Sequence, residues 1–228
     1  MTDPAGLAVV GAEALALASA GWPVVPLHTP IAGGCDCSKP DCSSPGKHPR
    51  TKNGLSDATT DADQIRRWWG MWPQANIGAV VPDGYVVVDV DVADIATLFA
   101  ADELPQTAAS RTGRGWHYIY RTQVTVRPKV DVRKHVDLRG PGSYIVVPPS
   151  LHVSGVRYEW IVPIEAGVAD SPAWLTEVVA GREFVSARLT PAAYQHGLAL
   201  ALPEEVVMVR PTRFELATFG FGGRRSIR

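Results

Sequence analysis

Net charge is nearly absent from this 228-residue chain: 22 basic side chains against 23 acidic ones leave −1. That excludes a uniformly basic nucleic-acid coat but leaves local patches open. Cysteine is scarce and odd in number, three in all, which does not fit a secreted disulfide framework. Charged residues are thin at 20%, yet apolar residues reach the globular proportion of 46%, so disorder is excluded as the main state. No long charge-free apolar run is present. Ala5 to Val25 comes closest, but Glu13 stands in its middle and Asp3, not Lys or Arg, precedes it. Ala16-Leu17-Ala18 imitates a signal-peptide cleavage site, while Leu7, Val10, Ala14 and Leu17 recur at the spacing of an amphipathic helix. The expectation is a soluble, cytoplasmic protein with no membrane partner. Glycine and proline are plentiful, 21 and 19. Turns that frequent rule out a helical bundle, and the length suits one sizeable core.

Along the chain, Trp22 to Leu27 reads as a strand after the first helix. Residues 57–72 begin with capping residues Thr60 and Asp61 and continue as a helix burying Ile65, Trp68, Trp69 and Trp72. Asn76 to Val81 and Tyr85 to Asp91, separated by Pro82-Asp83-Gly84, read as a hairpin. Asp94 to Glu103 reads as a helix ended by Leu104-Pro105. Further strands are expected over Thr107 to Arg121, Asp131 to Leu138, Ser143 to Val147 and Arg157 to Ile161. A helix is expected over Ser171 to Ala180, with Ser171 as N-cap and Pro172 first. Strands and helices without regular alternation predict an α+β fold with a mixed, mainly antiparallel sheet. Pro191 to Leu202 reads as a helix. Arg210 to Arg228, with five arginines and one glutamate, reads as part of a weakly structured basic tail over 186–228.

The three cysteines cluster in CDCSKPDCSSPGKH. Cys35, Cys37, Cys42 and His48 give C-x-C-x4-C-x5-H within an inserted loop, 33–50. Three thiolates and an imidazole are a tetrahedral zinc set with no open position, so the expected role is structural.

Charge is segregated inside the neutral total. Pro82 to Pro105 holds six acidic residues and no basic one. Arg111 to Arg139 holds eight basic residues against Asp131 and Asp137. Carboxylates that hold cations, beside guanidinium groups that hold phosphates, suit a metal-plus-polyphosphate site. In Tyr85-Val86-Val87-Val88-Asp89-Val90-Asp91 the period-two alternation of a strand points Asp89 and Asp91 to one face, about 7 Å apart. One or two Mg²⁺ or Mn²⁺ ions would relieve their repulsion. Glycosyltransferases and hydrolases use such pairs as well. Arg111-Thr112-Gly113-Arg114-Gly115 reads as a turn whose amides approach phosphate oxygens. The strand after it puts Trp116, Tyr118 and Tyr120 on one face and His117 and Ile119 on the other. His135 to Gly140 adds Asp137 as a third metal ligand and Arg139 as a phosphate contact.

Together, VVVDVD at Asp89 and Asp91, GWH ending at His117 and VDLRG at Asp137 resemble the three motifs of the archaeo-eukaryotic primase superfamily. The nearest branch is the bifunctional primase/polymerases of phages, plasmids and integrated elements. ALASAGWPVVPL, PGKHPR, DATTDADQIRRWW, ANIGAV and GPGSYIVVPPSLHVSG before YEW extend the likeness over roughly residues 7–180. The resemblance implies an RRM-like palm and a catalytic domain over 1–185. It also implies template-directed nucleotidyl transfer with single-stranded DNA and nucleoside triphosphates as partners. By that carry-over Asp89, Asp91 and Asp137 hold two divalent ions, and His117 meets the incoming triphosphate helped by Arg111, Arg114 and Arg139. Ser150 and His152 line the same pocket, and the cysteine loop corresponds to a zinc-bearing insertion. The alternative is a binding remnant of the same fold without activity. Relatives often continue into a helicase, so a separate replicative helicase in a bacterial host is expected, or a truncated reading frame. The tail PTRFELATFGFGGRRSIR resembles the translated edge of a tRNA gene.

Overall fold

The computed structural model describes residues 9–182, apart from 33 and 38. The sequence reading of 191–202 and of the 186–228 tail lies outside these residues. In chain order the elements are α1 (Val9–Ser19), β1 (Val24–Leu27), β2 (Pro30–Ile31), β3 (Gly34–Cys35) and α2 (Ala62–Met71). There follow β4 (Asn76–Val80), β5 (Tyr85–Val90), β6 (Ala109–Arg111), β7 (Trp116–Arg121), β8 (Lys129–Arg133) and β9 (Val136–Arg139). β10 (Tyr144–Val147), β11 (Glu159–Val162) and α3 (Ala173–Val179) complete the set. Every ladder is antiparallel. A six-stranded sheet runs β11-β6-β7-β5-β9-β8, and a three-stranded sheet runs β1-β4-β10. The mixed, mainly antiparallel α+β architecture is as expected.

The period-two pattern of β5 divides the core. Val86, Val88 and Val90 face one way, onto Tyr120, Leu138, Phe99 and Leu175 of α3. Val87 faces the other way, into a core shared with Trp22, Ile77 and Ile145 and with the buried faces of α1 and α2. Asp89 follows Val87 on that second face. α1 buries Val10, Ala14 and Leu17. α2 starts where the side chain of Asp61 accepts the Asp63 and Gln64 amides.

Four local expectations are corrected. β4 and β5 are not a hairpin. β4 lies between β1 and β10, whereas β5 lies between β7 and β9. Both strands are apolar on both faces, with burial nearly continuous along each, so each takes the centre of its own sheet. Asp94 to Glu103 is no α-helix. Asp94 caps a single 3₁₀ turn over Ile95–Thr97, and Glu103 turns back to accept the Ala100 amide at 2.6 Å. Pro172, not Ser171, is the N-cap of α3; the Ser171 amide donates to the Arg121 carbonyl at 2.7 Å, one residue before the helix entry. Trp72 is only half-buried, as the C-cap of α2. Among the described residues, no helix is long and apolar enough to cross a membrane.

Candidate active site and metal centre

Strand register builds the site. Asp89 of β5 lies opposite His117 of β7 and opposite Asp137 of β9, and His117 lies opposite Ser110 of β6. Four polar residues thus form one row across four strands, on the face away from α3. His117 Nε2 is 3.5 Å from Asp89 Oδ1, and its Nδ1 is 3.4 Å from Ser110 Oγ. Burial pushes the His117 pKa below its ordinary value, with Asp89 pulling the other way. Arg139, two residues along β9, donates from Nε and Nη2 to Asp89 Oδ2 at 3.2 and 3.1 Å, and from Nη2 to Asp137 Oδ2 at 2.6 Å. Asp137 Oδ1 accepts the Asp131 amide at 2.8 Å. Asp91 faces Arg114, 3.4 Å away.

A cleft of about 380 Å³ opens beside this row. The large sheet lends it Asp89, Asp91, His117 and Arg139, and the adjoining turns Thr112, Arg114, His152 and Tyr158. β10 of the small sheet lends Tyr144, Ile145 and Val146, and the cysteine loop lends Ser44, Lys47 and His48. The rings of His117 and His152 each lie 6.2 Å from that of Tyr158.

The structure therefore places Asp89, Asp91, His117, Arg114, Arg139 and His152 around one cavity. Asp137 stands in the row but does not line the cleft, and both of its oxygens are engaged. Arg111 does not reach the cleft; its guanidinium is 3.7 Å from Glu159 across β11. Ser150 is buried, and its Oγ accepts the Ile77 amide at 2.9 Å, which ties the chain to β4. The turn over 112–115 is not an open amide nest. Thr112 Oγ1 accepts the Arg114 and Gly115 amides at 3.2 and 2.9 Å, and the Thr112 amide goes to the Gly115 carbonyl at 2.8 Å. Its glycines answer to packing: a Cβ at Gly113 would overlap the His152 ring, and one at Gly115 the Val90 carbonyl. Sequence reasoning missed Lys47, Tyr144 and Tyr158 as cleft residues. Lys47 and Tyr158 sit in the segments PGKHPR and YEW, but nothing local to either segment says what it faces.

The second centre is the cysteine loop. One ligand atom from each of Cys35, Cys37, Cys42 and His48 lies within 4.8 Å of all the others. His48 Nε2 is 3.6 Å from Cys35 Sγ and 3.4 Å from Cys42 Sγ. Tetrahedral zinc bonds imply an S···N edge of about 3.6 Å, so this donor set fits the ion in chemistry and in spacing. All three cysteines are free thiols. The Lys39 amide draws the Cys37 pKa below its ordinary value, whereas burial pushes that of Cys42 up. Among the described residues the carboxylates Asp89, Asp91 and Asp137 do not converge within 4.8 Å in the same way; Arg139 stands between two of them. Their all-oxygen, anionic character still fits a hard divalent cation.

Residues 14–174 match the family model described as bifunctional DNA primase/polymerase, N-terminal. A comparison with curated proteins found no match. The matched residues hold both the row of acids with its histidine and the cysteine loop, and the chain belongs to the bifunctional DNA primase/polymerase family.

Proposed function

We propose that this chain is a template-directed nucleotidyltransferase that makes primers, or extends DNA, on a single-stranded template. The observation that supports it most is the Asp89–His117–Asp137 row, with Asp91, beside a cleft rimmed by cationic side chains. The 3′-hydroxyl oxygen of a nucleotide or primer attacks the α-phosphorus of a nucleoside triphosphate. The new O–P bond forms as the α–β anhydride bond breaks, pyrophosphate leaves, and the hydroxyl proton is released to water. Asp89 and Asp91, with Asp137 beside them, are the residues to hold Mg²⁺ or Mn²⁺. Such ions, when bound, stabilise charge on the attacking and leaving oxygens.

The other residues bind and orient. His117, whose pKa burial lowers, meets the triphosphate through its ring. Arg114 and His152 close the cleft over it. Arg139 answers to the charge of Asp89 and Asp137; once that charge is otherwise balanced, its guanidinium is available to phosphate oxygens. Cys35, Cys37, Cys42 and His48 hold a structural zinc. On this reading residues 1–185 are the catalytic domain, on a palm-like sheet. The setting is replication of a phage or mobile element in bacterial cytoplasm, with a separate helicase.

A second reading is a binding remnant without activity, in which Arg139 keeps its bonds to Asp89 and Asp137 and the Asp131 amide keeps Asp137 Oδ1. Incubating the protein with single-stranded DNA, labelled nucleotides and Mg²⁺ or Mn²⁺, with and without an annealed primer, separates the two. Labelled product from wild type and none from Asp89→Ala/Asp91→Ala is expected. No product from a folded, DNA-binding wild type would favour the remnant.

A further inference from the structure

The cysteine loop contributes a wall of the cleft as well as a metal site. Ser44, Lys47 and His48 stand across it from Asp89, Asp91 and His117. The backbone is anchored where Lys47 sits. Asn76 Nδ2 donates to the Gly46 carbonyl at 2.9 Å, the Tyr144 hydroxyl donates to the Lys47 carbonyl, and the Lys47 amide donates to the Ser44 carbonyl at 3.1 Å. The His28 amide takes the His48 carbonyl at 2.9 Å. Gly46 has a φ of +74° and lies against Pro30, where a Cβ would overlap the ring. The turn that delivers Lys47 is therefore a glycine turn for two independent reasons.

With its backbone groups spent, Lys47 sends a half-buried side chain into the cleft. Arg114 and Arg139 face Asp91 and Asp89 there, whereas the Lys47 ammonium pairs with no carboxylate among the described residues. A half-buried cation without an internal partner favours an anion from outside. For backbone pairing the loop carrying it has only the two-residue strands β2 and β3 and a single bridge from Pro49 to Leu27. The cluster of Cys35, Cys37, Cys42 and His48 is its main internal cross-link, and His48 is the next residue after Lys47.

We infer that Lys47 contacts the triphosphate of the incoming nucleotide, and that metal binding in the cysteine loop positions it, so that nucleotide affinity depends on a metal outside the catalytic row. This rests on the nucleotidyltransferase reading above. The test is equilibrium binding of a fluorescent nucleoside triphosphate, by anisotropy, with Ca²⁺ in place of Mg²⁺ to prevent turnover. Zinc content, melting and single-stranded DNA binding are measured on the same samples. Lys47→Met, which keeps most of the stem, is expected to raise Kd about tenfold or more with DNA affinity unchanged, and Lys47→Arg to recover most of the loss. Cys42→Ser, or a zinc-selective chelator, is expected to raise Kd by a similar factor in wild type and to add little in Lys47→Met. Equal nucleotide affinity in Lys47→Met and wild type overturns the inference. So does a loss confined to DNA binding, or a Cys42→Ser effect that adds fully to that of Lys47→Met. A wild type that binds no nucleoside triphosphate overturns the nucleotidyltransferase reading and this inference with it.

Discussion

The two walls of the cleft are made in different ways. The wall with Asp89, Asp91 and His117 is the middle of a six-stranded sheet. Asp89 and His117 are aimed by backbone ladders on both sides, Asp91 follows directly after β5 with its amide on the His135 carbonyl, and the valines of β5 are fully buried. The wall with Ser44, Lys47 and His48 has almost no ladder. Beyond a few backbone bonds to β1, such as the His28 amide on the His48 carbonyl, it is tied by side chains: the cysteine cluster, the Asp36–Arg50 ion pair, the Asp36 carboxylate on the Thr29 amide at 3.0 Å, and Asn76 reaching both Gly46 and Leu151. A ladder is cooperative and holds its geometry without a ligand. A side-chain-tied loop is as rigid as its cross-links, so it is where a metal has leverage.

Substitutions should break the two walls differently. On the sheet wall, Asp89→Asn with Asp91→Asn is expected to lower nucleotide incorporation by on the order of 10³-fold. The melting temperature should hold to within about 2 °C, because the ladder and not these carboxylates holds the strand; a collapse of the fold would show that the walls are not so different. On the loop wall, Cys42→Ser is expected to release the metal and lower melting by about 5 °C, on the order of 2 kcal/mol. Limited proteolysis should find new cuts confined to residues 33–50, and cuts in the large sheet would contradict a local loop. Ser150→Ala tests the seam between the small sheet and the cleft. The Ile77 amide loses its partner, costing about 1–3 kcal/mol in urea unfolding, while nucleotide affinity stays unchanged. Reduced affinity in folded protein would return Ser150 to the pocket.

The smallest effect is expected far from both walls, at Glu13 of α1. Burial pushes its carboxyl above the usual range despite the 2.6 Å hydrogen bond from Trp160. A carboxyl raised on folding gives its full stabilisation below the unfolded value and loses it as pH rises through the folded one. Glu13→Gln, which can still accept from Trp160, should therefore unfold less readily than wild type at pH 8, by under about 1 kcal/mol. The gap should close toward pH 4. A gap that widens on acidification would reverse the sign.

Much of the site was legible because it obeys local rules. Asp89 and Asp91 share a face because a strand repeats every two residues. His117 separates from Trp116 and Tyr118 for the same reason. The donor set of the metal loop is contained in fourteen consecutive residues. The Asp61 cap of α2 was readable from the chain as well. Illegible were the features that depend on which strand meets which. Tyr85 to Asp91 looks like the hairpin partner of Asn76 to Val81, since a short Pro-Asp-Gly turn joins them. Only burial on both faces of both strands sends them to the centres of separate sheets. Ser150 and Arg111 carry the right chemistry for a phosphate pocket, but packing spends one on the Ile77 amide and aims the other at Glu159.

Sequence alone thus determined the chemistry available: three acids and a histidine on alternating strands, a basic stretch after an acidic one, and a thiolate-rich loop. Periodicity and composition are properties of neighbouring residues, and they survive without a fold. Tertiary structure alone decided that His117, Asp89 and Asp137 stand in one row. It decided that Arg139 bridges two of the carboxylates, and that Lys47, some forty residues before Asp89, faces them across a cleft. Those facts come from strand register and from closing long loops onto a shared core, and their energy lies between residues far apart in the chain.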